Sequence, residues 1–88
     1  MLELGEIVAT PGAIEQSGLA GVSLASLLNK HQSGDWGDLS EEDKNENEFS
    51  LEARCRIFSS YIIKEGVKIW IITEADRSST TFLLPSEY

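Results

Sequence analysis

From Arg54 onward the chain changes from helical spacing to the grammar of strands, and this change limits the fold more than any other feature of its 88 residues. Cys55, Ile57, Ser59, Tyr61 and Ile63 alternate with Arg56, Phe58, Ser60 and Ile62, so successive side chains fall on opposite faces of an extended strand. Lys64-Glu65-Gly66 supplies a glycine-containing hairpin turn. Val67 to Thr73 follows, rich in β-branched and aromatic residues, and is the most strand-like stretch of the sequence. Glu74 to Ser78 is polar enough for a second turn, and Thr80 to Leu84 reads as a third strand stopped by Pro85. Connections this short join antiparallel neighbours, which predicts a three-stranded meander.

Upstream of Arg54 the spacing is helical. Thr10-Pro11-Gly12 opens a first short helix, with Thr10 as N-cap and Pro11 where a missing N–H costs nothing; Gly18 is the expected stop, leaving Ala13 to Ser17. Ser23 caps a second helix, in which Leu24, Leu27, Leu28 and His31 recur at the spacing of one buried stripe and Ser33-Gly34 ends it. Ser40 caps a third, with Glu41, Glu42 and Asp43 in its first turn, where acids suit the positive end of the helix dipole. Its expected end is near residue 52, with Phe49, Ala53 and Leu51 as its buried side. Leu2 to Ala9 reads as a strand or an extended lead-in. The whole, residues 1–88, is a single small α+β domain: N-terminal helices packed on one face of the meander, with the N-terminal stretch a candidate fourth strand.

A chain this short buries only about 60–65% of its unfolded surface, enough for one modest core. It has no room for a kinase, a methyltransferase or a dinucleotide fold. The single cysteine, Cys55, excludes an internal disulfide and a four-cysteine zinc site, and its place in the alternation predicts a buried thiol. No apolar run reaches the roughly 18–20 residues that span a bilayer, and no signal-like N-terminus is present, so a soluble cytoplasmic protein without membrane contact is the expectation.

The charge is unevenly placed. Of a net −8, the segment 35–52 carries −7, because Asp35, Asp38, Glu41, Glu42, Asp43, Glu46, Glu48 and Glu52 face only Lys44. Such a field repels phosphate, which disfavours direct nucleic-acid binding unless Lys30, Arg54, Arg56, Lys64, Lys68 and Arg77 cluster elsewhere; it attracts a protein partner with a basic surface. A solvated acidic helix face is the plainer reading of the same residues.

Three places could carry chemistry. His31, with Asp35, Asp38 and Asp43, offers nitrogen and oxygen donors for a metal, or a catalytic base, but the spacing matches no metal motif and His31 also continues an apolar stripe, the mark of a satisfied core histidine. Trp36, between Gly34 and Gly37 and among Asp35 and Asp38, is either an interface anchor or a plug between helix and sheet. At the second turn Arg77 either pairs with Glu74 and Asp76 or clamps a carboxylate or phosphate. No Walker lysine, G-x-S-x-G or H-E-x-x-H is present, and no cofactor is implied.

The run His31-Gln32-Ser33-Gly34-Asp35-Trp36-Gly37-Asp38, then Glu42-Asp43 and Asn47-Glu48, then Trp70 to Ser78 with Thr80-Thr81 and the closing Leu84-Pro85-Ser86-Glu87-Tyr88, resembles a family of small plasmid- and phage-related proteins over nearly its whole length. Some of those proteins carry the label of type I restriction methylase subunits, which this chain is far too short to be. The family has no established activity, so the resemblance implies a context and no catalytic roles: mobile elements use small acidic proteins against host restriction or CRISPR defences. Two expectations follow. The first is a non-enzymatic interaction module of a mobile element, an anti-restriction or anti-CRISPR inhibitor in its sharpest form, binding a basic groove through Asp35, Trp36, Asp38, Glu41, Glu42 and Glu46. The alternative is a small enzyme or nucleotide-binding protein whose polar site gathers His31, Glu74, Asp76 and Arg77 with Asp35 and Asp38. A structural subunit that associates through Trp70 or Phe82, homo-oligomers included, is a third.

Overall fold

The computed structural model describes residues 2–88. In chain order the elements are β1 (Glu6–Ala9), α1 (Pro11–Ala20), α2 (Leu24–Gln32), α3 (Glu41–Ala53), β2 (Ile57–Lys64), β3 (Val67–Thr73), β4 (Ser79–Leu83) and a 3₁₀ turn at Pro85–Glu87. The four strands form one sheet in the order β1-β4-β3-β2. β2, β3 and β4 are the antiparallel meander, with Ser59 opposite Ile71 and Ile71 opposite Phe82. β1 joins it in parallel with β4, making the sheet mixed. No short turn links β1 to β4, so nothing local imposes the antiparallel sense. Gly5, at φ +64, brings the lead-in against the backbone of Arg77 and Ser78, where any side chain would collide.

All three caps form as the sequence predicts: the Thr10 hydroxyl accepts from the Ala13 N–H at 3.1 Å, Ser23 from Ser26 at 3.4 Å and Ser40 from Asp43 at 3.2 Å. α1 nevertheless runs through Gly18 and ends two residues later. Gly21 takes the left-handed conformation, at φ +69, while the Val22 N–H closes on the Ser17 carbonyl at 2.9 Å and Val22 packs on the core. A glycine stops a helix only where the following residue has an apolar contact to make, and that place is Gly21.

α1 and α2 cover one face of the sheet. Ala13 and Leu27 are buried there with Tyr61, Ile69, Ile71 and Phe82, and Leu24 and Leu28 pack around them. A smaller cluster joins Leu2, Trp36 and Ile57. The third helix does something else. Its buried residues are Asn47 and Ser50, whereas Phe49 is 65% exposed and Leu51 and Ala53 are also exposed, which reverses the expected inner side. With the apolar face of the sheet already taken by α1 and α2, α3 lies along the outer edge of β2 and meets it through polar groups. Arg54 ends α3 in the left-handed conformation, at φ +56, and strand geometry starts only at Ile57, so Cys55 is an exposed thiol and not a buried one.

Candidate protein-interaction surface

His31 is fully buried between α2 and the sheet. Its Nδ1 lies 2.6 Å from Ser59 Oγ and its Nε2 lies 2.9 Å from Thr73 Oγ1. Thr73 Oγ1 is in turn 2.8 Å from Thr80 Oγ1, which donates to the Leu4 carbonyl at 2.7 Å. A hydroxyl has one proton, so the chain has one direction. Thr80 gives its proton to Leu4, Thr73 gives its own to Thr80, and Nε2–H must donate to Thr73; Nδ1 is left to accept from Ser59. Burial pushes the His31 pKa down to about 4, which keeps the ring neutral as this wiring requires. Both nitrogens are engaged, so His31 is a satisfied core histidine with no lone pair for a metal or a substrate proton. Among the described residues no three His, Cys, Asp or Glu side chains gather as a metal site.

Arg77 is buried as well, at φ +61 in the β3–β4 turn. Its Nη1 donates to the carbonyls of Cys55 (2.7 Å), Glu74 (3.1 Å) and Ala75 (3.2 Å), and its Nη2 to that of Ser50 (3.2 Å). The guanidinium thus adds a charged donor to the Ser50 carbonyl at the C-terminal end of α3, which also accepts from the Arg54 and Cys55 N–H groups, and staples that end to the turn. It pairs with neither neighbouring carboxylate. The Ser78 hydroxyl, and after it the Ser78 N–H donating at 3.0 Å, hold the Asp76 pKa below the usual value, and Glu74 faces solvent. His31, Glu74, Asp76 and Arg77 therefore do not assemble into one polar site.

The segment 35–38 closes the edge of the sheet. Trp36 is 4% exposed, with its indole N–H donating to Glu48 Oε2 at 2.9 Å and its ring edge-on to His31 at 5.7 Å; of its two readings, it is the plug. Asp35 turns the chain by accepting from the Gly37 N–H at 3.2 Å, and its carbonyl takes the Tyr61 hydroxyl at 2.6 Å. Gly37, at φ +75, lies so close to the Ser60 carbonyl and the Tyr61 ring that only glycine fits. Along β2 the outward backbone groups belong to Phe58, Ser60 and Ile62, and each residue finds a partner. Asn47 bonds both the N–H and the carbonyl of Phe58 through its side-chain amide. Ser60 N–H donates to the Trp36 carbonyl at 3.3 Å, and the Ser60 carbonyl accepts from Asp38 N–H at 2.7 Å. Asp38 Oδ2 accepts from Ile62 N–H at 2.8 Å. Asp35, Trp36 and Asp38, which the sequence places on the docking surface, act here as edge protection. The sequence reading assigns none of these roles to Asn47, Ser59, Thr73 or Thr80; short hydroxyls at inward strand positions are the available signal for the last three.

What faces solvent on the outer side of α3 is Glu41, Glu42, Glu46 and Glu52, with Asn45 and Phe49 between them; Asp43 is exposed too, at the N-terminal end of the side that carries Asn47 and Ser50. Among the described residues a single ion pair forms, Lys44 with Glu41 at 3.9 Å. Arg77 is spent on carbonyls and Arg56 bonds the Tyr88 hydroxyl at 2.6 Å, while Arg54, at the C-terminal end of α3, forms no ion pair among the described residues. The acidic segment is therefore not neutralised from within.

The chain matches no protein-family model, and comparison with curated proteins and with solved structures finds nothing significantly similar. No helix among the described residues is long and apolar enough to cross a membrane.

Proposed function

We propose that the protein is a non-enzymatic interaction module that docks the outer side of α3 on a cationic surface of another protein. One observation carries this reading: Glu41, Glu42, Asp43, Glu46 and Glu52 stand exposed on one helix, and among the described residues a single cation, Lys44, pairs with any of them. The clasp beneath α3, made of Asn47, Glu48, Ser50 and Arg77, holds that helix in place, and a pre-organised charged surface steers encounter without an ordering cost. The internal engagement of the His31 ring nitrogens and of the Arg77 guanidinium favours this reading over the enzymatic alternative. The resemblance to plasmid- and phage-related proteins adds the setting: the partner in this proposal is a host defence protein whose basic groove ordinarily holds nucleic acid.

The test is capture from host lysate with the immobilised protein. Captured protein is expected to elute as ionic strength rises from about 0.1 M to about 1 M, where the screening length drops from ~10 Å to ~3 Å. It should also be lost with Glu42→Lys/Glu46→Lys, yet kept with Glu15→Lys/Glu65→Lys, which changes net charge equally. Capture that ignores both salt and the helix reversal would refute the reading.

A further inference from the structure

Phe49 is out of place for a monomer. It sits in the last turns of a thirteen-residue helix, 65% exposed, although a phenylalanine buries some 150–250 Å² when it finds a site. Helical geometry surrounds it with Glu42 at i−7, Asn45 at i−4, Glu46 at i−3, Glu52 at i+3 and Ala53 at i+4, all of them exposed. Nothing in the fold draws Phe49 inward, because α3 is attached through its opposite side by Asn47 and Ser50.

Resting on the docking reading above, we infer that Phe49 is the apolar anchor of that surface, and that the matching partner site is an apolar pocket rimmed by lysine or arginine. The ring of carboxylates decides the occupant. An uncharged apolar partner would have to desolvate Glu42, Glu46 and Glu52 without compensation, and a second copy would bring the same carboxylates face to face; a cationic rim pairs them while the phenyl ring enters the pocket. A central aromatic enclosed by polar contacts that exclude water is the usual arrangement of binding energy at an interface. The division of labour differs from charge mimicry alone: the carboxylates set encounter rate and salt dependence, and Phe49 sets residence time.

Two synthetic peptides of equal charge, one of alternating lysine and leucine pairs and one with serine for leucine, test this at low ionic strength by titration with amide chemical-shift mapping. The lysine–leucine peptide is expected to bind at least about tenfold more tightly, with shifts centred on residues 42–53. Phe49→Ser should abolish that difference, while Ile62→Ser, which alters an equally exposed apolar residue on the sheet, keeps it. Because Phe49 contributes little to the core, Phe49→Ser should melt like the parent protein. Equal binding of the two peptides, or indifference to Phe49→Ser, overturns the anchor while leaving the acidic docking surface intact. Shifts centred on residues 6–9 or 56–72 overturn it too. If neither peptide binds at all, the anchor and the docking reading fall together.

Discussion

Protonating His31 inside the fold would break a wire that has only one workable direction. An imidazolium donates from both nitrogens, so Nδ1 could no longer accept from Ser59, and a charge would sit in a site with no solvent exposure. The folded pKa is accordingly about 4 against an unfolded value of 6.5. The sign follows directly: between those values the unfolded chain binds a proton that the folded chain refuses, so stability is fully present above pH 6.5 and falls as the pH is lowered. At 1.36 kcal/mol per pH unit the loss down to pH 4 is about 3 kcal/mol, a large part of the 5–15 kcal/mol typical of a domain. Urea unfolding followed by far-UV circular dichroism at pH 7, 6, 5 and 4.5 measures it. His31→Phe serves as reference: it should be less stable at pH 7 by about 2–3 kcal/mol, because Ser59 and Thr73 lose a partner, but lack the histidine's slope. Subtracting the two profiles removes the carboxylates, including Glu87, whose pKa is lowered first by its bond from Thr10. The wild-type advantage should shrink steadily toward pH 4. A histidine Cε1–H resonance that titrates near pH 6.5 in the folded protein, or parallel profiles for the two proteins, would refute the wiring.

Other consequences are open to the same instruments. Asn47→Ala removes both bonds to Phe58 and should cost about 2–3 kcal/mol, with faster amide exchange at Phe58 and concentration-dependent association through the uncovered β2 edge; unchanged exchange would count against the clasp. Arg77→Lys substitutes a point charge for a planar fork that reaches four carbonyls, and should lower stability by roughly 1.5–3 kcal/mol, the worth of a hydrogen bond to a charged group, and fray the end of α3; identical helix content and midpoint would contradict its stapling role. Cys55 should react with a thiol reagent under native conditions as fast as in urea, whereas protection in the folded protein would restore the buried reading.

Local grammar determined a good deal. Period-two alternation marked β2, because a side chain's face in a strand depends only on parity, while β-branched and aromatic content marked β3 and the short connections gave the antiparallel order of β2, β3 and β4. Thr10, Ser23 and Ser40 marked helix starts, since a cap is a contact within one turn. The same local logic failed for α3 and Cys55. Hydrophobicity at Phe49 and Leu51 predicts burial only if an apolar surface is free to receive them, and α1 and α2 had already occupied it. The roles of Asp38, Asn47 and Arg77 were equally beyond reach, for each bonds backbone groups that carry no side-chain signature, across separations of 24, 11 and up to 27 residues. Sequence alone thus decided which segments are strand or helix and that negative charge concentrates in 35–52. Only the tertiary structure divided those charges, engaging Asp35, Asp38 and Glu48 in hydrogen bonds to Gly37, Ile62 and Trp36 along the sheet edge although all three stay exposed, and leaving Glu41, Glu42, Asp43, Glu46 and Glu52 free of it, because the demand for backbone hydrogen bonds at an exposed edge exists only once the sheet has formed.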